Sequence, residues 1–544
     1  MTTITWRCVM VLAGLLVCAA MAQGYLVGPA ASLEKLTEDA DIIFKGTAVS
    51  SRTVEDGWFR PYEKQGFIVR ETQFTVVSVI KGERPGDKLM FRHYDDAPQP
   101  RIRTFSPQYY HFEAGRTYIV FAKRGAAAGI FHQLWINHTT KGDQGVVLCA
   151  DDRPVARKTV KEILWAELTA MLMSARVSDV TYAIGQLDRM SDQWNALGGL
   201  SDFDRKDVLA AVQSFVHNRD PNIAQAAIGV VGSHNPYMSE ERTIHWLATV
   251  GSAETPGIGT MDPKMENADG KLYREDLIQV ADGKAPDETR AMAILALGLV
   301  RKPSLKKPIE RWLSDRAPAV RASAALLLAD FPGPETCKHL TTLANDPAPG
   351  VRVCVARAAG FSQQAEMADV LGKLLMDGER KVRESAAMSL LSFSPKDEAI
   401  AAVFRANIEN EEFKPLFLNA LARENPAGYL DALATAVEQK SRPRHFWSGQ
   451  IPALTARKIL FRYLQTRPAD EVRAGKFDRH LDAIEKVGSY SSSVLRNIYA
   501  FYLQRGMVKR AKKFRDEAKK AASYDIDRYF KQVDENPSRY KRPR

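Results

Sequence analysis

A seven-residue pattern that recurs every 31 residues constrains this 544-residue chain more than any other feature. It reads DRAPAVR at 315–321, DPAPGVR at 346–352 and DGERKVR at 377–383, and small and apolar residues follow each copy. A step of 31 residues also leads back to Arg290 and forward to Lys414. An internal repeat of this length predicts a solenoid, in which each repeat stacks on its neighbours.

Apolar spacings of three and four residues, the period of amphipathic helices, extend from about residue 159 to residue 440. The pattern resembles HEAT repeats, in particular the short repeats of phycobilisome-lyase-type proteins. The resemblance implies an all-α, right-handed superhelical solenoid of helix pairs over 151–440. Lyase activity is not carried over, because the repeats contain no catalytic motif.

The repeated charges are interpreted as a structural ladder. Asp caps the second helix of each pair, and the basic residue six positions later reaches the Asp of an adjacent repeat. The alternative is a basic stripe that binds an anionic ligand. Lys284 and Ile408 replace the Asp before the first and last basic residues, so the ladder should weaken there. The predicted ladder residues are Asp315, Arg321, Asp346, Arg352, Asp377 and Arg383, with Arg290 and Lys414 at the ends.

Gly and Pro interrupt the helical pattern over 251–286, a stretch that is long for a repeat loop. We therefore predict an irregular insertion there. Insertions in solenoids often lie on the binding face. A binding role and a tolerated surface loop both remain open.

Residues 39–150 contain short β-branched segments that alternate in polarity and are separated by turn residues. They predict five or six strands, and so many short strands are typical of a small barrel or sandwich.

Segments 40–46, 74–76, 79–82 and 112–122 resemble the netrin-like, OB-type β-barrel of tissue inhibitors of metalloproteinases and of many bacterial exported proteins. The resemblance implies an OB-like binding domain over 23–150. Those inhibitors act through an N-terminal cysteine, which cleavage before Gln23 would not produce. Protease inhibition is therefore only an alternative function.

Residues 1–22 have the features of a secretory signal peptide. Arg7 supplies a positive charge, residues 8–21 are almost wholly apolar, and small residues precede Gln23. We predict cleavage before Gln23 and a secreted or periplasmic mature chain. Cys18 lies in a sequence that only partly resembles a lipobox, and its lipidation is left open.

Cysteine and histidine spacing predicts no metal or cofactor. The signal peptide removes two of the five cysteines, and no zinc-binding spacing remains. The remaining three, Cys149, Cys337 and Cys354, are expected to be buried thiols, and pairing of the last two stays open. The four histidines of the β domain match no ligand pattern: His93, His111, His132 and His138.

The last region, 441–544, is helical and basic. Its final 44 residues contain 14 Lys and Arg against 6 Asp and Glu, and so hold most of the formal net charge of +11. Residues 507–522 form a basic amphipathic helix that predicts contact with an anionic membrane or cell-wall polymer, or a cap helix with a solvated face. The predicted contact residues are Lys509, Arg510, Lys512, Lys513, Lys519 and Lys520. The spacing of Leu495, Ile498, Tyr502, Gly506, Ala511 and Ala518 resembles one tetratricopeptide helix pair, which implies a terminal cap.

The leading functional hypothesis is an exported, non-enzymatic scaffold that binds a protein or an envelope component through the solenoid and the β domain. Both folds commonly form interaction surfaces. An enzyme subunit or accessory protein of the HEAT-repeat lyase type is the second hypothesis. Nucleic acid is not predicted as a partner despite the basic charge, because an exported protein rarely meets it.

Overall fold

The computed structural model describes residues 31–59, 66–97, 108–134, 145–156, 159–191, 202–232, 268–410, 413–438, 452–486, 492–521 and 527–535. These residues divide into two compact units, 31–302 and 303–535. The predicted signal peptide, residues 251–267 of the predicted insertion, and His138 lie outside the described residues.

The first unit begins with a short helix and six strands. Five strands are joined by hydrogen bonds in the order β1-β2-β3-β5-β4, and β4 also pairs with β1, so the pairings form a ring. Strand β6 pairs with β4. All pairs are antiparallel except β3 with β5. The elements are α1 (Leu33–Asp39), β1 (Ile42–Thr53), β2 (Phe67–Lys81), β3 (Lys88–Asp96), β4 (Thr117–Arg124), β5 (Ile130–Gln133) and β6 (Val146–Leu148).

Aromatic side chains fill the core of this β domain. The ring of Phe74 meets those of Phe44 and Phe112 edge to face, at 5.5 and 5.1 Å between centroids. Phe112 meets Tyr118 in the same way at 4.9 Å. Edge-to-face contacts suit the quadrupoles of aromatic rings and add to the gain from apolar burial.

A glycine turn closes the predicted segment 79–82. Gly82 has a φ of +86°, and a Cβ added there would lie 2.5 Å from the carbonyl oxygen of Asp41. Only glycine fits both the left-handed backbone and the close approach of the chain to β1.

Seven helices follow in the described part of the first unit. They are α2 (Val160–Met171), α3 (Val177–Ser191), α4 (Arg205–Val212), α5 (Pro221–Val231), α6 (Ala268–Leu272), α7 (Arg274–Asp282) and α8 (Asp287–Ala296). Thr159 and Glu162 form a capping box at the start of α2, where each side chain accepts from the other residue's backbone N–H.

Residues 268–286 were expected to be irregular, but most of them are helical. Helix α7 buries Leu277, Val280 and Ala281. Gly283 ends α7 and Pro286 is the N-cap of α8. These two residues, which contributed to the prediction of an insertion, therefore mark helix boundaries, where Gly and Pro are common.

The described part of the second unit is helical. It contains α9 (Lys306–Trp312), α10 (Pro318–Leu327), α11 (Pro334–Leu343), α12 (Pro349–Ser362), α13 (Ala368–Leu374), α14 (Arg380–Leu390), α15 (Glu398–Ala406), α16 (Lys414–Glu424), α17 (Leu430–Glu438), α18 (Pro452–Gln465), α19 (Ala469–Arg473), α20 (Asp478–Lys486), α21 (Ser492–Gln504), α22 (Val508–Ala521) and α23 (Asp527–Glu535). No described helix is long and apolar enough to cross a membrane.

Helix α12 packs between α10 and α14, the equivalent helices of the neighbouring repeats. Small residues permit this contact. A Cβ added to Gly360 on α12 would lie 2.8 Å from the Cβ of Ser389 on α14. The side chains of Ala322 and Ala325 on α10 are fully buried. Close helix packing therefore depends on residues that keep the helix surfaces narrow.

Helices α21 and α22 pack against each other through an apolar face at the C-terminal end. Gly506, in the turn between them, has a φ of +70°, a conformation that favours glycine. The residues that predicted this pair are buried, with exposures of 0 to 3%: Leu495, Ile498, Tyr502, Ala511 and Ala518.

Candidate functional site

The turn before each second helix is shaped by its Asp. The Oδ1 of Asp315 accepts from the backbone N–H of Ala317 at 2.9 Å, and Asp346 and Asp377 make the same contact at 2.9 and 2.8 Å. Ala317 is itself the N-cap residue of α10 and its side chain makes no capping bond. The Asp was predicted to cap the helix. Instead it stabilises the turn just before the helix, in an Asx-type turn.

Arginines connect these turns in sequence. The guanidinium of Arg321 donates to both carboxylate oxygens of Asp346, at 2.7 and 2.9 Å. Arg352 contacts Asp377 in the same way, at 2.7 and 2.8 Å. Each contact is bidentate and spans 25 residues. The planar fork of arginine matches the two oxygens of a carboxylate, which makes these pairs strong and directional.

The third guanidinium nitrogen holds the turn of the arginine's own repeat. Nη1 donates to the carbonyl oxygen six residues earlier: Asp315 for Arg321, Asp346 for Arg352, and Asp377 for Arg383, at 2.8, 2.8 and 2.9 Å. Asp346 thus accepts from Arg321 on its carboxylate and from Arg352 on its carbonyl. The structure joins three successive turns in one hydrogen-bonded chain.

Both bridging pairs are largely shielded from water. The side chains of Arg321 and Asp346 are 14 and 4% exposed, and those of Arg352 and Asp377 are 15 and 11% exposed. Burial alone would raise the pKa of Asp377, but hydrogen bonds from Arg352 and the Glu379 amide outweigh it and lower that pKa. The hydrogen bond from Arg352 to Asp377 likewise raises the pKa of Arg352.

The contacts differ at the predicted ends of the ladder. Arg290 donates to the Ala281 carbonyl at 2.9 Å and contacts Asp287 within its own helix at 3.3 Å. Lys414 contacts Glu409, which precedes its helix, at 2.7 Å. Lysine is a point-like donor and cannot make the forked contact of arginine.

Sequence reasoning missed a second buried arginine. Arg205, at the start of α4, donates to Asp188 at 2.5 Å, to Asp269 at 3.1 Å and to the carbonyl of Val230 at 2.5 Å. Burial opposes its charge, but the two carboxylates outweigh burial and raise the pKa of Arg205. Asp269 is 64 residues away along the chain, so no local pattern announces the contact.

Sequence reasoning also missed a buried lysine that ties the β domain to the first helices. Lys45 on β1 is 1% exposed and contacts Glu167 on α2 at 2.6 Å and Asp151 at 3.2 Å. The Lys45–Glu167 pair crosses the boundary predicted at residue 150. The only sequence signal was a lysine flanked by apolar strand residues at 42–46.

The described histidines of the β domain have protein partners. His93 is fully buried, contacts Thr72 Oγ1 at 2.8 Å and the Tyr94 carbonyl at 2.9 Å, and burial lowers its pKa to about 4. His132 contacts Asp56 at 2.9 Å, and His111 contacts Asp95 at 3.5 Å. Among the described residues, no group of three or more potential ligands could hold a metal ion.

The three cysteines that follow the predicted signal peptide are free thiols in the structure. Cys354 is fully buried, which raises its pKa to about 12. Cys337 donates to Gln364 at 3.5 Å. Burial also raises the pKa of the Cys149 thiol well above its usual range.

The predicted contact residues of α22 fall into two groups. Arg510 contacts Glu485 at 2.7 Å and Asp482 at 3.0 Å, and Lys513 contacts Glu485 at 3.4 Å. These two residues hold α22 against α20. The others are exposed: Lys509, Lys512, Lys519 and Lys520.

Comparison with known families identifies the repeats. Residues 274–352 and 318–391 match the family described as HEAT repeats. Residues 274–391 are HEAT repeats. A search of curated proteins gives no match for the chain.

Solved structures give distant similarities. An engineered protein is 16% identical over 64% of this chain and 97% of its own, with a TM-score of 0.28. Human deoxyhypusine hydroxylase in complex with glycerol is 15% identical over 46% of this chain and 91% of its own, with a TM-score of 0.20. A chain of an S. pombe condensin subcomplex is 13% identical over 69% of this chain and 57% of its own, with a TM-score of 0.28.

Replacing Arg352 by Met should lower the free energy of unfolding by about 2–3 kcal/mol, measured by urea denaturation. The substitution leaves the largely buried Asp377 carboxylate without its bidentate partner. Arg405→Met is the matched control, because it breaks the exposed Arg405–Glu398 pair, and exposed pairs contribute little. Equal losses in the two variants would contradict a special role for the ladder.

The coupling between Arg352 and Asp377 should weaken in acid. Since the folded pKa of Asp377 lies below that of the unfolded chain, its stabilisation is complete above about pH 3.9 and is lost as the pH falls through the folded value. A double-mutant cycle with Arg352→Met and Asp377→Asn measures this coupling. It should be smaller at about pH 3 than at about pH 7. A coupling energy that does not change with pH would refute the expectation.

Proposed function

We propose that the chain is an exported, non-enzymatic scaffold that binds a protein partner through its HEAT-type solenoid. The observation that carries the proposal is the chain of hydrogen bonds from Asp315 to Arg383. It holds successive repeats at one spacing, so that α10, α12 and α14 present a continuous and preorganised surface. A rigid surface loses little conformational entropy on binding, which favours affinity.

The proposal extends to the β domain, which we take to be a netrin-like, OB-type barrel. The ring of strand pairings, with β3 and β5 parallel, supports this assignment. The buried Cys149 is unsuited to binding a protease zinc, because its raised pKa disfavours the thiolate that a metal requires. A binding role therefore fits the domain better than protease inhibition.

A subunit or accessory protein of a lyase-type enzyme is the alternative function. HEAT repeats are compatible with both roles, since a fold does not determine a function. The two differ in a direct way. A scaffold forms a stoichiometric complex, whereas an enzyme turns over a substrate after the partner has been removed.

Photo-crosslinking tests the scaffold. We expect benzoylphenylalanine at Met388, an exposed position on α14, to crosslink the partner isolated from an envelope extract. The same group at Lys338, exposed on the first helix of the preceding repeat, is the control and should not crosslink. Equal crosslinking at the two positions would contradict a binding surface on the second helices, and substrate turnover by the purified chain alone would overturn the scaffold proposal.

A second candidate role, contact with an anionic envelope surface, is favoured by one observation. Lys509, Lys512 and Lys520 on α22 are exposed and form no ion pair with the described carboxylates. Lysines near an anionic bilayer contribute about 1 kcal/mol each. The tetratricopeptide-like pair α21–α22 would then serve as both solenoid cap and surface contact.

Vesicles of phosphatidylglycerol and phosphatidylcholine test this role. The triple variant Lys509→Gln, Lys512→Gln and Lys520→Gln should bind at least about tenfold more weakly than the unmodified chain at low salt, because it loses three attractive charges. Added salt should release the unmodified chain. Lys306→Gln, Lys307→Gln and Lys338→Gln remove the same charge elsewhere and serve as the control. Equal binding by both triple variants would count against a specific role for α22.

A further inference from the structure

Arg357, near the middle of α12, differs from the ladder arginines on the same unit. Its Nη1 atom is buried and has no hydrogen-bond partner. The residue as a whole keeps a limited exposure to solvent. It forms no ion pair with any described carboxylate, and the nearest group that affects its charge is the Cys354 thiol. A guanidinium is therefore held at the edge of the helix layer without a counter-charge.

Such an arrangement is unfavourable for the isolated chain. Burial lowers the pKa of Arg357, because a charge in an apolar environment loses its hydration. Arginine nevertheless stays protonated at neutral pH, so the charge persists. Buried charges in proteins are normally paired, and an unpaired one weakens the fold.

The neighbouring repeats show that this position does not require a charge. At a distance of 31 residues, Leu326 on α10 and Met388 on α14 occupy the equivalent positions. Leu326 is fully buried, whereas Met388 is 44% exposed. Since α14 packs directly against α12, the unpaired cation has an exposed apolar residue at the equivalent position of the adjoining helix.

We infer that Arg357 is the anchor for a carboxylate of a protein partner, with Met388 as the apolar contact on the adjoining helix. The inference rests on the proposed scaffold function and adds the residue and the chemistry that recognise the partner. A single guanidinium is matched in charge and geometry by one carboxylate, which accepts two parallel hydrogen bonds. A phosphate dianion would keep an uncompensated negative charge at this site.

Melting of the full chain in small anions tests the site directly. Sodium acetate should raise the melting temperature above that in sodium chloride at equal ionic strength, because an anion that binds only the folded state stabilises it. Arg357→Met should abolish this difference. Lys338→Met removes one positive charge from α11 of the same repeat and should retain it.

Arg357→Met should also melt at a higher temperature than the unmodified chain in chloride, by about 2–4 °C. The substitution removes the unpaired cation and inserts the residue that the next repeat uses. The same variant should bind the partner at least about tenfold more weakly, as expected for a central anchor. A variant that is more stable but defective in binding separates this role from a structural one.

Other outcomes would overturn the inference. Equal melting temperatures in acetate and chloride would exclude a carboxylate site, and stabilisation by inorganic phosphate alone would assign a different ligand. If Arg357→Met bound the partner as tightly as the unmodified chain, Arg357 would not be the anchor, although the scaffold proposal would stand. If the unmodified chain formed no complex, the scaffold proposal would fail, while the acetate measurement would still decide whether Arg357 binds a carboxylate.

Discussion

The forked contact of a guanidinium with two turns at once is the interaction on which the repeat region depends. Arg352 donates to the Asp346 carbonyl in its own turn and to the Asp377 carboxylate in the next. The first contact reaches back six residues and the second reaches forward 25. Together they span one repeat, so the length of the repeat and the reach of the side chain must agree. A lysine cannot replace arginine here, because its ammonium group lacks the planar fork.

The ladder fixes the register of the repeats, while apolar packing supplies most of the stabilisation. A partly buried ion pair recovers in Coulomb energy about what it loses in hydration, so its net contribution to folding is modest. The close contact of Gly360 with Ser389 buries helix surface that neither repeat could bury alone. A helix pair that slid by one turn would lose both the bidentate contacts and the fit of the small residues. Direction and packing therefore reinforce each other.

Local patterns predicted the helical repeats and the strands, because the alternation of polarity along the chain reflects burial directly. Long-range contacts were not predictable in this way. Lys45 finds its carboxylate 122 residues away, and nothing in the flanking sequence identifies Glu167 as the partner. Gly283 and Pro286 were misread as signs of an insertion, because the same residue types mark loops and helix ends. Arg510 also looked like a surface charge until α20 brought Glu485 to it.

Arg352 and Arg357 show why residue type alone does not separate structural from functional charges. Both lie on α12, five residues apart, and composition treats them alike. The repeat supplies an Asp 25 residues after Arg352, but offers only Leu326 and Met388 at the positions equivalent to Arg357. A charge that follows the repeat acquires its partner from the next repeat. A charge that departs from it has no partner provided by the architecture, and the free energy that it costs the folded chain becomes available to whatever pairs with it. In a solenoid, the positions that break the repeat are therefore the first place to look for recognition.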